Sequence, residues 1–326
     1  MDFEHVDYYQ TWDKIKEAYA KFVECTVPGG VVIACGDDKN LRDILEKSGR
    51  RHITYGFGAD NEWTASRISC DANGSSYDCF YKGEFVEHFE LTVPGKHNIL
   101  NSLSIVALGH ELKVELPVII EAIRAFQGVK RRFEKKGEVD DILVVDDYGH
   151  HPTEIAATLQ TAKTLDRKRV ITIFQPHRYS RTKFLLNEFG DCFNLADHLF
   201  LTDIYPASEK PIEGVSTEML IEKVREYRPK NLYYVRKEEV AERVLSMVQP
   251  GDLVLTLGAG DITGLSDELL RRLKDRVSLP QSPADHLQTC EAVKARGTVG
   301  VIMGGCSSER EISLKSGGAI AKALKE

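Results

Sequence analysis

No apolar run in this 326-residue chain approaches the roughly 18 residues that would cross a bilayer, so no transmembrane helix is expected. Basic charge is also short. The net charge is -7 and the pI about 5.9, so the electrostatic footprint of a nucleic-acid binder is missing. The seven cysteines, Cys25, Cys35, Cys70, Cys79, Cys192, Cys290 and Cys306, are scattered and form no C-x-x-C pair. That argues against a zinc site and a disulfide framework, and for a reducing cytoplasm. The opening residues, Met1-Asp2-Phe3-Glu4-His5, are acidic where a signal peptide is basic. No G-x-x-x-x-G-K-[ST] phosphate loop occurs, and there are no repeats or low-complexity tracts. What is present is 42% apolar and 29% charged residues, the balance of a soluble globular chain long enough for two or three domains.

Trp12, Ile15, Ala18, Tyr19 and Phe22 recur at helical spacing. Val31 to Ala34 reads as a buried strand, followed by a helix over about 40–47 and a strand over 52–55. Residues 62–93 alternate and are broken by Asn73-Gly74 and Lys82-Gly83, which predicts antiparallel strands with tight turns. Two helices follow, near 98–111 and 116–126. Gly128 to Gly137 reads as a charged connector, with a domain boundary near Arg131. Beyond it, strands at 142–145, 169–174, 197–203, 231–235 and 252–257 alternate with helices at 152–165, 182–190, 216–226, 237–248 and 263–274. That alternation predicts an α/β domain with a mostly parallel sheet and helices on both faces. Residues 277–296 read as a linker, and 297–326 as a single β-loop-α unit.

The ends of these strands carry the chemistry. Ligands of open α/β sheets bind past the carboxyl ends of the strands. After Ile142–Val145 come Asp146, Asp147, Tyr148, His150 and His151, with Pro152 opening a helix. After the next strand come His177, Arg178 and Arg181. The two arginines are three apart and suit bidentate binding of a carboxylate or phosphate. A third strand ends at Asp203-Ile204-Tyr205-Pro206 and a fifth at Gly258-Ala259-Gly260-Asp261. Each cluster alone also reads as polar surface, but four of five strands ending this way favours a site.

Asp146-Asp147-Tyr148-Gly149-His150-His151-Pro152-Thr153-Glu154, together with Phe174-Gln175-Pro176-His177-Arg178-Tyr179-Ser180-Arg181-Thr182, closely resembles the L-alanine-adding branch of the Mur ligases. Further motifs agree in order. They are Asp2-Phe3-Glu4-His5 with Asp7 and Tyr8, Pro94-Gly95-Lys96-His97-Asn98 with Asn101, and Arg131-Arg132-Phe133-Glu134. The resemblance spans residues 1 to about 276. It implies a partial central ATPase domain over 1–129 and a Rossmann-like C-terminal domain over 130–276. The implied reaction joins L-alanine to UDP-N-acetylmuramate at the expense of ATP, through an acyl phosphate. The implied roles are His5 on magnesium, Asn98 and Asn101 on adenine, Arg132 on phosphates and Asp147 on ribose. Tyr148, His150, His177, Arg178 and Arg181 would surround L-alanine. A related ligase that attaches a recovered tripeptide shares the Asp-Asp-His-His type of segment, but the His-Arg-Tyr-Ser-Arg segment here favours the L-alanine branch.

Gly300-Val301-Ile302-Met303-Gly304-Gly305-Cys306-Ser307-Ser308-Glu309 and the residues to Leu314 resemble the opening of D-alanine–D-alanine ligases, of the ATP-grasp group. That resemblance implies a contact of Glu309 with the ammonium of D-alanine and a fusion of two ligases. The Mur ligase resemblance implies in turn that the phosphate loop and the UDP-binding domain lie outside this sequence. The chain alone is therefore expected to have little or no ligase activity. The alternatives are a separate chain supplying the N-terminal half, or a non-catalytic amino-acid-binding remnant. The central remnant is expected to be less stable than residues 130–276.

Overall fold

The structure is a computed structural model that describes residues 1–227 and 231–276. The expected linker at 277–296 and the ATP-grasp-like unit at 297–326, with Glu309, lie outside the described residues.

The first part of the chain begins with α1 (Val6–Tyr9) and α2 (Trp12–Glu24). The Thr11 hydroxyl caps α2 by accepting the Lys14 N–H at 3.4 Å. β1 (Val32–Cys35), α3 (Lys39–Ser48) and β2 (His52–Gly56) follow. Asp38 caps α3 by accepting the Leu41 N–H at 3.0 Å, and Gly49 closes it in the left-handed region. β3 (Trp63–Asp71), β4 (Gly74–Tyr81) and β5 (Glu84–Leu91) form the expected antiparallel meander, joined to β1 and β2 by parallel pairing. Gly74 is required at the β3–β4 turn, because its φ is +143° and a Cβ there would collide with the Leu91 carbonyl oxygen. α4 (Lys96–Glu111) and α5 (Leu116–Ala125) cover the sheet. Trp63, Tyr77 and Phe89 pack there against Ile99, Leu103, Val106, Ile119 and Ile123.

β1 departs from expectation. Of its residues only Ala34 is buried, because the strand stands at an edge of the five-stranded sheet. The aromatic residues of α2 also face outward: Trp12, Tyr19 and Phe22 are exposed, and Ile15 and Val23 are the buried positions. Such apolar exposure lowers local stability relative to a closed core. Limited proteolysis is therefore expected to cut within residues 1–30 well before 130–276. Equal protection of both stretches, read by mass spectrometry of the fragments, would contradict this.

The second sheet is built from β6 (Glu134–Val139), β7 (Ile142–Asp147), α6 (Pro152–Lys163) and β8 (Arg169–Phe174). α7 (Tyr179–Phe184), α8 (Leu186–Asp191), β9 (His198–Leu201), α9 (Thr217–Tyr227) and β10 (Leu232–Tyr234) come next. α10 (Lys237–Leu245), β11 (Asp252–Leu257) and α11 (Thr263–Arg276) complete it. The strand order is β10-β9-β8-β11-β7-β6, parallel except for the β6–β7 pair. β7 and β11 are buried along their whole length, as apolar central strands covered on both faces must be. One face packs Ile155, Leu159, Phe174, Phe189, Phe193 and Leu220. The other packs Val144, Ile171, Phe200, Val244, Leu265 and Leu269.

Two expectations are corrected here. The charged connector contains β6, an antiparallel edge strand whose Lys and Glu residues hide its strand character, since edges tolerate charge. The single helix expected over 182–190 is two short helices that meet at Leu185. Among the described residues no helix is long and apolar enough to cross a membrane.

Candidate active site

β11 returns into the middle of the second sheet, between β8 and β7. The loops that follow β7, β8, β9 and β11 therefore meet over the same end of the sheet. After β8 the chain holds its neighbour tightly. Tyr205 donates its N–H to the Pro176 carbonyl and Arg178 donates its N–H to the Tyr205 carbonyl, each at 2.8 Å. A parallel bridge pairs His177 with Tyr205, and their rings stack with centroids 5.7 Å apart. Arg178 takes a left-handed φ of +72° where strand turns into α7. This backbone strain is offset by the pairing around it.

Four of the expected pocket residues come together. His150, His177, Arg178 and Arg181 are all buried, and the His150 and His177 rings lie 5.5 Å apart. Arg181 Nη1 lies 3.0 Å from His177 Nδ1. An arginine can only donate, so His177 is neutral with its proton on Nε2. Burial, then the charges of Arg181, His150 and Arg178, push the His177 pKa down to about 3. Burial and then Arg181 lower that of His150 as well. Tyr148, the fifth residue, is half-buried beside His150, and its ring lies 4.8 Å from the Arg131 guanidinium and 5.8 Å from that of Arg132.

The strand-end cluster after β7 divides between site and scaffold. Asp146 is fully buried and points into the sheet, accepting from the Thr256 hydroxyl at 2.6 Å, the Thr263 hydroxyl at 2.7 Å and Arg131 Nε at 3.3 Å. Arg131 also donates to the Gly258 carbonyl at 2.6 Å, tying the hinge to the loop after β11. His151 is the cap of α6, its Nδ1 accepting the Thr153 N–H at 3.3 Å, with Glu154 completing a capping box.

Three further side chains join the site: Tyr205 from a strand end already noted, Glu4 from the opening motif, and Glu209, which no sequence signal marked. Tyr205 stacks on His177. Glu209 accepts from the Ser180 N–H at 3.0 Å and hydroxyl at 2.5 Å, and lies 3.8 Å from Arg178. Glu4 pairs with Arg181 at 3.0 Å and approaches His150 Nε2 at 4.0 Å. Burial opposes ionisation of Glu4, yet Arg181 and His150 hold its carboxyl below the ordinary range.

A family model described as the Mur ligase middle domain matches residues 1–109, and one described as the Mur ligase glutamate ligase domain matches residues 131–260. The chain belongs to the Mur ligase family. The UDP-N-acetylmuramate–L-alanine ligase of Geotalea uraniireducens is 42% identical over 275 residues, which is 84% of this chain and 60% of that protein. The crystal structure of a UDP-N-acetylmuramate–alanine ligase from Thermotoga maritima superposes with a TM-score of 0.68 at 26% identity, covering 84% of this chain and 58% of that one. The MurF ligase of Thermotoga maritima in complex with ADP shares the fold, with a TM-score of 0.67 at 16% identity, covering 84% of this chain and 61% of that one. This Mur ligase chain spans about 60% of the length of the curated relatives it matches.

The residues expected on the nucleotide side of a Mur ligase are placed less favourably. Asn98 turns its amide N–H to the Pro94 carbonyl at 2.8 Å, and Asn101 is exposed on α4. His97, whose pKa burial lowers, lies within electrostatic reach of Arg132, so the loop opening α4 faces the hinge. Arg132 pairs with Glu154 at 3.1 Å. Asp147 does not present a free carboxylate. It is buried, and its two oxygens accept the Phe133 N–H at 2.7 Å and the Gly149 N–H at 2.6 Å. It anchors the hinge to the end of β7. His5 does not sit in a metal-binding group either. Among the described residues no three His, Cys, Asp or Glu side chains could hold an ion, and magnesium prefers several oxygen ligands. Magnesium is usually held by one or two side chains together with substrate phosphates and waters, so a larger protein cluster at His5 is not required. The sequence carries no G-x-x-x-x-G-K-[ST] loop for nucleotide phosphates, so phosphoryl transfer is assigned to none of these residues.

Proposed function

We propose that the His150–His177–Arg178–Arg181 pocket, with Tyr148 at its rim, receives the amino acid of an ATP-dependent ligation, and that this amino acid is L-alanine joined to UDP-N-acetylmuramate. One observation carries the reading: two buried arginines and two buried neutral-leaning histidines converge at the carboxyl ends of β7 and β8. Guanidiniums suit an amino-acid carboxylate, and neutral imidazoles offer hydrogen bonds without repelling an incoming amine. The names of the curated relatives point the same way. The site's part in the reaction is to hold the amine in line with an activated muramate carboxyl, which reduces the entropic barrier to amide formation. ATP and magnesium supply the activation, and residues outside this sequence provide the phosphate loop. The work would take place in the cytoplasm.

The expected result is no phosphate release from ATP by this chain with UDP-N-acetylmuramate and L-alanine. Release should appear when a Mur ligase N-terminal half carrying the phosphate loop is added in trans. Arg181→Ala should lower that release about a hundredfold by misplacing the amino acid. Release that needs no L-alanine, or that ignores Arg181, would overturn the reading. The absence of a phosphate loop from the 326 residues favours a second reading, a non-catalytic module that binds the amino acid without complementation. The likeness of residues 300–314 to D-alanine–D-alanine ligases supports a further, separate proposal on sequence alone. In it, Glu309 belongs to a D-alanine site completed by a longer polypeptide.

A further inference from the structure

Glu4 is 177 residues from Arg181 in sequence, yet its carboxylate meets that guanidinium at 3.0 Å inside the pocket. The segment that carries it is fastened on either side. Phe3 packs against the core of the second sheet and stacks on Trp12, with centroids 5.6 Å apart. Asp2 accepts the Thr153 hydroxyl at 3.0 Å, and the Met1 amine pairs with Asp38. Glu4 is therefore a built part of the pocket wall. The other carboxylate beside His150 is Glu154, and it is committed to the His150 and His151 N–H groups and to Arg132. Nearby, His151 lies within electrostatic reach of Glu4. Its buried Nε2 has no partner among the described residues, and its Nδ1 accepts a hydrogen bond, so Nε2 carries a proton available to a bound anion.

A cation beside a fixed anion is the electrostatic complement of a zwitterion. We infer that Glu4 receives the ammonium group of the bound amino acid while Arg181 receives its carboxylate, so that the Glu4–Arg181 pair parts to admit an α-amino acid and discriminates against simple carboxylates. The discrimination has a physical cause. A carboxylic acid without an amine meets the repulsion of Glu4 with nothing to offset it, whereas an α-amino acid replaces one ion pair with two. The cavity of about 10 Å³ beside Glu4, Arg178 and Arg181 has room for about one water, so an amino acid enters only if the pair parts. This inference rests on the amino-acid reading of the pocket given above.

The test is calorimetric titration of this chain and of Glu4→Gln with L-alanine and with propionate, which lacks only the ammonium group. For L-alanine, Glu4→Gln is expected to weaken binding about tenfold or more, the worth of a charge-assisted hydrogen bond. For propionate, the same change should leave binding unchanged or strengthen it, which also shows that the variant is folded. If Glu4→Gln binds L-alanine as tightly as the parent or more tightly, while Arg181→Ala loses it, Glu4 is an internal plug on Arg181. The inference then fails and the amino-acid reading stands. If the parent binds neither ligand, both fail.

Discussion

Arg131→Met is expected to destabilise the protein by about 3–5 kcal/mol, the cost of leaving a buried charge without its partner. Asp146 is fully buried at the end of β7, Arg131 is the cation in contact with it, and Lys136 acts on it only from longer range. The hydroxyls of Thr256 and Thr263 still donate to Asp146 after the substitution, but they bring no charge. The Gly258 carbonyl loses its 2.6 Å donor at the same time. The neighbouring Arg132 is the internal control. Its pair with Glu154 is half-exposed and screened, so Arg132→Met should cost about 1 kcal/mol or less. Adding Asp146→Asn to Arg131→Met should recover part of the loss, because the two residues are in contact. Urea unfolding of the four proteins checks this. Equal stability of the two arginine variants would show that the Asp146 pair is not what holds the hinge to the sheet.

Acidification is expected to destabilise the pocket through His177. Its folded pKa is about 3, against roughly 6.5 for an unperturbed histidine. Between those values the unfolded chain binds a proton that the folded chain refuses. Stability is therefore fully present above about 6.5 and is lost progressively as pH falls toward about 3. Each pH unit in that window is worth about 1.4 kcal/mol at most, so the drop between pH 6.5 and pH 4.5 is on the order of 2–3 kcal/mol from this residue. His150 is shifted in the same direction and adds to it. His177→Gln keeps a hydrogen-bond acceptor for Arg181 but cannot protonate in this range. Its unfolding free energy should fall less steeply over the same two pH units, by about the 2–3 kcal/mol contributed by the imidazole. Carboxylates titrating elsewhere affect both proteins alike. Identical pH slopes for parent and variant would mean that His177 is solvated or protonated in the folded protein.

Local pattern made much of this legible. The alternation of residues 62–93 with Asn73-Gly74 and Lys82-Gly83 specifies the meander, because period two and tight-turn residues have few other uses. The apolar runs ending at Asp147, Phe174 and Leu257 mark central parallel strands and hence the end of the sheet where a site forms. Within such a run, pattern stops being informative. β7 is buried on both faces, so alternation cannot say which way Asp146 and Asp147 point. β6 was hidden for the converse reason, since an edge strand rich in Lys and Glu looks like a loop.

The sequence by itself determined the architecture, the Mur ligase resemblance and the presence of His150, His177, Arg178 and Arg181 at strand ends, because these depend on residue type and on separations of a few residues. Only the tertiary structure decided what each charge faces. It turned Asp146 and Asp147 inward as anchors, gave Arg131 rather than Arg132 the buried partner, and brought Glu4 onto Arg181. These pairings join residues 14 or 15 apart across a turn of the sheet, as for Asp146 and Asp147, or 177 apart, as for Glu4 and Arg181, and no local spacing encodes which carboxylate a guanidinium will meet.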